Sequence, residues 1–344
     1  LAKRIDITGQ QFSNWKVNYR LNNSRYMCTC LLCGKQYEVE SYKLRKGLTK
    51  SCFNCAMSTR SSQQVDNKYS KLYKLFKNEN VIYNTEIFAY LPDKKIGINF
   101  VPNVDNENIT MYNVQKLTLQ YREKDIRLIN IFSYEWEDED KQDKLVNTIK
   151  IALGASEIRR IYARKTKIVL MNSRDTREFL DENHLQGYTS APINIGLTYN
   201  DELVALMTFG RPRFSGESEY ELIRLAFKAN TIILGGEEKL FRYFIQTYKP
   251  DSVLSYCNLT KFRGDSYYKV GFKTYGDCIT SPNYMWVNEE LKLALPRYKC
   301  MKHKLLQRGW GTADMTENEI MRSIGFKKVY DAGNIKFLWY AESN

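Results

Sequence analysis

Two pairs of cysteines carry the densest chemistry in this chain of 344 residues: Cys28-Thr-Cys30-Leu-Leu-Cys33-Gly and, after 18 further residues, Cys52-Phe-Asn-Cys55. Two CxxC turns separated by a stretch able to form a short hairpin supply four thiolates, the closed tetrahedral shell of a structural zinc ion with no open position for catalysis. Cys30, Cys33, Cys52 and Cys55 are the assigned ligands and Cys28 is spare, although spacing leaves the choice between Cys28 and Cys30 open. Five of the eight cysteines fall within 28 residues, whereas Cys257, Cys278 and Cys300 are scattered through core-like segments. That grouping favours a metal over a disulfide framework. A module of about 60 residues with so few large aliphatics also folds poorly unaided.

Between the cysteine pairs, Lys43, Arg45, Lys46 and Lys50 alternate with hydroxyls and aromatics, a pattern suited to phosphate contacts that position a protein on DNA without reading sequence. Net charge sharpens this. The overall +13 resides at the two ends: residues 1–60 carry +8, residues 291–344 carry +5, and the stretch between is balanced. Polyanion binding by one or both ends follows, with Arg297, Lys299, Lys302 and Lys304 as the second cluster. Residues 61–78 place Val65, Tyr69, Leu72, Tyr73 and Phe76 at helical spacing with lysines around the remaining surface, which predicts a linker helix. Apolar runs such as Leu203 to Phe209 are far shorter than the roughly 20 residues needed to cross a bilayer, and nothing at the start reads as a signal peptide.

The next segment predicts an α/β arrangement: a strand from Glu86 to Leu91, a Pro-Asp-Lys turn, a strand Ile96 to Phe100, a helix around Gln115 to Glu123, and a strand Arg127 to Phe132. The acidic run Glu135, Glu137, Asp138, Glu139 and Asp140 reads as the amino-terminal cap of a helix over 141–153. The stretch from Glu86 through Ile131-Phe-Ser-Tyr-Glu135-Trp136, then Ile161-Tyr-Ala-Arg-Lys165, Phe179-Leu-Asp-Glu-Asn-His184-Leu-Gln-Gly187 and Gly235-Gly236, resembles the phage Hef-like homing endonucleases. Their core is related to very-short-patch repair enzymes, and small zinc-containing modules stand at the front of many phage endonucleases. The resemblance implies a phage-encoded protein acting on double-stranded DNA in the bacterial cytoplasm.

It also implies a metal-dependent PD-(D/E)xK-type centre, and here the chain departs from the pattern. The position of the family's Asp holds Phe88, that of its Glu holds Asn99, and Val101-Pro102-Asn103 replaces its Asn-Gly stretch. The family's helical His is Asn113, with Tyr112 and Lys116 retained. Ser133-Tyr134 stands where an acidic pair is usual, leaving Glu135. A hard cation needs oxygen anions, and phosphodiester cleavage depends on that cation for nucleophile and charge stabilisation. Glu86, Lys116 and Glu135 are the residual catalytic candidates, and Mg²⁺ is expected only if they assemble a substitute centre.

From about Lys165 the pattern predicts a second α/β unit: a strand near Ile168, a helix from Asp175 to Glu182, and strands at Ile195–Tyr199, Leu203–Phe209 and Tyr220–Phe227. A helix opened by Gly235-Gly236 and a strand from Ser252 to Cys257 follow. With its Tyr-x-x-Gly-Phe ending, this succession resembles the acetyltransferase (GNAT) fold. The resemblance implies an anion or acyl-CoA loop at Gly235 and Gly236, where free helix amides can cradle pyrophosphate. No basic residue directly precedes those glycines. His184 reads as a hydrogen-bonded structural histidine in preference to a proton shuttle, and His303 lies in a phosphate-facing run. Thr316 opens a capping-box helix, and Val329 to Tyr340 reads as a closing hairpin turned at Gly333-Asn334.

The expected organisation is multidomain α/β: a zinc-ribbon DNA-binding module over 1–60, a linker helix over 61–80, a degraded nuclease core over 81–155, and a GNAT-like domain with a basic extension over 160–344. The leading functional expectation is a DNA-binding protein on a homing-endonuclease scaffold with an inactive nuclease centre. Its rivals are an active endonuclease with shifted ligands, a protein that grips a phage or host partner, and a GNAT-type transferase.

Overall fold

The computed structural model describes residues 6–22, 24–32, 34–52, 65–83, 86–103, 111–213 and 216–341. Two compact units divide the chain at Tyr90. In the first, β1 (Gln11–Phe12), β2 (Trp15–Arg20), β3 (Arg25–Cys30) and β4 (Gln36–Glu40) form an antiparallel meander in sequence order. Alternation along β3 buries Tyr26, Cys28 and Cys30 on one face, where they join Ile7, Trp15, Val17, Val39, Leu44 and Cys52. The short helix α1 (Ser41–Arg45) docks through Leu44.

Helix α2 (Val65–Phe76) buries Leu72 and Phe76. Beside it Phe88 sits in an aromatic cage, with ring centroids 5.3 Å from Tyr69 and 6.0 Å from both Tyr73 and Tyr83. The side chain at the position where the resemblance expects a metal-binding Asp is therefore a packing element. Each such aromatic contact is worth about 0.5–1.5 kcal/mol beyond its area.

The short strand β5 (Ala89–Leu91) leads into the second unit and forms a three-stranded sheet with β6 (Ile96–Val101) and β7 (Arg127–Phe132). Helix α3 (Asn113–Glu123) makes the crossover, so β6 and β7 run parallel with Asn99 opposite Asn130. After α4 (Ser133–Trp136), helix α5 (Glu139–Leu153) starts at Asp138, whose side chain accepts from the Lys141 N–H at 3.3 Å. The acidic run thus caps a helix, though Glu139 and Asp140 lie inside its first turn.

The remaining elements are β8 (Arg159–Tyr162), β9 (Lys167–Leu170), α6 (Ser173–Asn183), β10 (Ile193–Tyr199), β11 (Glu202–Gly210), β12 (Tyr220–Phe227), β13 (Thr231–Leu234), α7 (Gly236–Tyr248), β14 (Ser252–Asn258), α8 (Asp265–Lys269), β15 (Tyr284–Asn288), β16 (Leu293–Pro296), α9 (Lys302–Gln307), α10 (Glu317–Ser323), β17 (Lys327–Tyr330) and β18 (Asn334–Tyr340). A six-stranded sheet has the order β18-β14-β12-β11-β10-β9, and only β12 and β14 are parallel neighbours. Helix α7 covers one face through Leu240, Phe241 and Phe244, with the Phe244 ring 3.6 Å from Phe209. Helix α6 covers the other through Phe179 and Leu180 against Leu206 and Ala226.

The expected closing hairpin is corrected. β17 pairs with β15 in a separate sheet, while β18 pairs with β14, so the chain around Gly333-Asn334 passes between two sheets. Gly264 opens α8 at φ +85°, and a Cβ there would lie 2.5 Å from the Phe337 ring. Gly264→Ala should therefore lower stability by about 2–4 kcal/mol, measurable by urea unfolding; an unchanged midpoint would refute the tight approach.

Candidate functional site

The structure gives the resemblance-derived positions of β6 and β7 a neutral occupation. Asn99 Nδ2 donates to Asn130 Oδ1 at 2.8 Å, and Asn130 Nδ2 donates to Thr118 Oγ1 at 2.9 Å and to the Thr260 carbonyl at 3.2 Å. Both asparagines are buried, so amides satisfy amides where a metal centre would need anions. Glu135 is equally committed: Oε2 accepts the Phe132 N–H at 3.1 Å and lies 2.6 Å from Lys261 Nζ. Lys116 is exposed on α3, and Glu86 is exposed in the first unit. Among the described residues, no three His, Cys, Asp or Glu side chains gather as a metal group would require.

Of the cysteines, Cys33 and Cys55 lie outside the described residues. Cys30 and Cys52 meet, the Cys52 N–H donating to Cys30 Sγ at 3.5 Å. Cys28 behaves differently: its thiol faces the Tyr26 carbonyl at 3.7 Å, and burial pushes its pKa up to about 11. It is a protonated core residue. In the same unit Lys43, Arg45, Lys46 and Lys50 are exposed on α1 and the turn after it, with Lys43 3.3 Å from Glu40.

In the second unit, Arg297 and Lys299 are exposed on a single helical turn, and the Arg297 guanidinium lies 5.7 Å from the Tyr284 ring. Lys302 and Lys304 are held inward by comparison. Their ammonium groups donate to the carbonyls of Ala313 at 2.7 Å and Tyr298 at 2.8 Å.

His184 closes α6. Its Nδ1 accepts the Gln186 N–H at 3.1 Å, and burial, followed by Arg224 and Lys144, pushes its pKa down to about 3. The neutral ring is a loop staple. Because the unfolded chain binds this proton below about pH 6.5 and the folded one resists it, stability should fall as pH drops from 7 towards 4. His184→Gln should flatten that part of a Tm-against-pH curve, and an unaltered slope would contradict the assignment.

The arrangement best suited to a ligand lies in the six-stranded sheet. β12 and β14 pair only from Tyr220–Val253 to Leu222–Ser255, then part while each strand runs on, to Phe227 and Asn258. A register shift opposite Thr208 and Phe209 leaves Ile223 as a bulge at the point of separation. The result is a wedge whose inner edges are strand backbone. At its inner end Ser255 Oγ lies 3.0 Å from the Leu222 carbonyl and 3.1 Å from the Tyr267 hydroxyl. Burial raises the Tyr267 pKa, so the phenol stays protonated and able to give a hydrogen bond.

Helix α7 starts one turn past β13. Gly235, at φ +77°, provides its start without a side-chain cap, so the N–H groups of Gly236, Glu237 and Glu238 have no hydrogen-bond partner among the described residues. Parallel pairing of β13 with β8 then sets Ala163 beside Gly235, their β-carbon positions 3.7 Å apart. Arg164 and Lys165 follow Ala163 on a single helical turn; both are exposed, the Arg164 guanidinium lies 5.1 Å from the Tyr162 ring, and neither has a carboxylate partner among the described residues. Lys239 Nζ ties this loop to α7 through the Ala163 carbonyl at 2.9 Å. Basic residues, missing ahead of the glycines in sequence, stand in the turn that follows the neighbouring strand β8. Free amides, the helix dipole and two cations favour a phosphate, against the two carboxylates of Glu237 and Glu238 in the same first turn.

Three chains of known structure are similar to about half of this one. An acetyltransferase from Bacillus subtilis in complex with CoA shares 14% identity at a TM-score of 0.30, covering 52% of this chain and 100% of that one. The ribosomal-protein-S18-alanine N-acetyltransferase from Escherichia coli shares 11% at a TM-score of 0.30, covering 52% and 96%. A GNAT family acetyltransferase from Elizabethkingia anophelis with acetyl-CoA bound shares 11% at 0.27, covering 52% and 99%. Likenesses this distant say nothing of what this chain binds. No protein-family model and no curated protein matches it.

Sequence reasoning reached Gly235 and Gly236 but missed Arg164, Lys165, Ser255, Tyr267 and Lys261. The Tyr-x-x-Gly-Phe ending starts at Tyr268, one residue past Tyr267, and so marked the segment but not the residue. A strand pair 72 positions apart gave no signal for Arg164 and Lys165.

Proposed function

We propose that the six-stranded half of this chain is an acyl-CoA-type carrier site of GNAT-like design, working as a transferase. The observation that carries the reading is the parting of β12 and β14 beside a glycine-opened helix: unpaired strand edges suit the amides of a pantetheine arm, while Arg164, Lys165 and the α7 amides suit its diphosphate. Tyr267 would supply a proton to a group leaving at the inner end of the wedge. An excess of CoA, about 100 times its dissociation constant, should stabilise the chain by about 2.7 kcal/mol in thermal unfolding. A folded protein whose Tm ignores CoA and acetyl-CoA would end this reading.

The partner is proposed to be double-stranded DNA, reached through Lys43, Arg45, Lys46 and Lys50 and through Arg297 and Lys299. With about six phosphates neutralised, affinity should fall roughly a thousandfold between 50 and 200 mM salt, and a flat gel-shift response would exclude it. We further propose a structural zinc ion on Cys30, Cys33, Cys52 and Cys55. The buried approach of Cys52 to Cys30, with an N–H aimed at sulfur, suits thiolate ligands.

A further inference from the structure

Lys261 is 2% exposed, and its ammonium is gripped by the β6–α3–β7 lobe: it donates to the Asn130 carbonyl, lies 2.6 Å from Glu135 Oε2 and stands 5.1 Å from the Phe132 ring centroid. A buried ammonium is tolerated only when its charge and hydrogen bonds are answered. Here they are: the hydrogen-bond partners come from β7 and α4, and the buried Asp331 carboxyl, between β17 and β18, adds its charge to the site. The neighbouring main chain is held by the same lobe. The Asn130 N–H donates to the Thr260 carbonyl at 3.0 Å, Arg127 Nε to the Lys261 carbonyl at 2.9 Å, and Arg122 Nη1 to the Arg263 carbonyl at 2.9 Å.

This segment is the direct continuation of β14, one wall of the wedge, and it turns at Gly264 into the short helix that bears Tyr267. The Tyr267 ring then stacks on Phe337 with centroids 4.6 Å apart. A shift of the segment would move the phenol relative to Ser255.

We infer that Lys261 is a positioning residue: its ammonium, seated in a socket formed by the Asn130 carbonyl, the Glu135 carboxylate and the Phe132 ring, fixes residues 258–264 and thereby the place of Tyr267 at the inner end of the wedge. The inference rests on the carrier-site reading of that wedge. It gives the lobe a task that needs no metal ion, since the socket is shaped for a primary ammonium.

The test uses the full chain. Lys261→Ala deletes a piece equivalent to n-propylammonium, so amide exchange over residues 258–272 should rise by about tenfold while β10 and β11 keep wild-type rates. CoA affinity should fall by about tenfold, or ~1.4 kcal/mol. Added n-propylammonium should reverse both changes, and the uncharged n-propanol should reverse neither. Exchange that rises evenly along the chain, or equal rescue by n-propanol, would overturn the inference. If wild-type protein binds no CoA, the carrier reading fails while the exchange and rescue measurements still decide the positioning. Should Lys261→Ala not fold, Lys261→Met/Glu135→Gln fills the volume and removes both members of the Lys261–Glu135 ion pair. It should fold with residues 258–272 loosened, and wild-type protection there would overturn the proposal.

Discussion

Cys30→Ser is expected to abolish zinc retention and unfold the β1–β4 sheet, whereas Cys28→Ser should keep the metal. The two cysteines lie two positions apart on the same face of β3, so composition and burial alone predict similar costs. The difference lies in their partners: Cys30 meets Cys52, and Cys28 faces a carbonyl as a neutral thiol. Structural zinc contributes about 10–16 kcal/mol in small modules, more than the folding stability of most domains. Losing a ligand should therefore matter far more than exchanging one buried thiol for a hydroxyl. Metal content by atomic absorption, with circular dichroism during chelation, checks both halves; zinc retained by Cys30→Ser would place the site elsewhere.

The second large effect is expected from Arg164→Glu/Lys165→Glu. Both residues are exposed and their loop is anchored through Lys239, so the reversal should leave the fold intact. At the start of α7 it would place two acids beside Glu237 and Glu238, where a diphosphate is proposed to sit. Affinity for CoA should drop by about a hundredfold or more, with calorimetry as the readout. Unchanged affinity would move the phosphate away from Gly235 and Gly236 altogether.

Local signals were legible where one element settles itself. Tyr220–Phe227 is rich in apolar residues, and the strand has the bounds the pattern predicts, although the bulge at Ile223 interrupts its alternation. Thr316 with Glu319 forms the expected capping box. Asn99 was readable as a neutral replacement, but its consequence was not, because Asn130, Thr118 and Thr260 come from three other segments. Thr231-Ile-Ile-Leu234 carries little signal of its own; its role as a strand depends on a parallel partner far earlier in the chain. Val329 to Tyr340 carried a genuine turn signal, yet β15 and β14 each captured one of its strands. Lys261 had no signal in the sequence, because the groups that bury it, Asn130 and Glu135, are distant from it along the chain.

Residues 281–333 enter and leave between α8 and β18 through a narrow neck. The Thr280 N–H meets the Asn334 carbonyl at 2.9 Å, and Asp331 and Asn283 join main chain to main chain at 2.9 Å. With entrance and exit side by side, the β15–β17 layer is a loop-like insertion in the path from α8 to β18, and Val287 and Val329 fasten it to Phe132 of β7, so excising it would uncover that apolar ring.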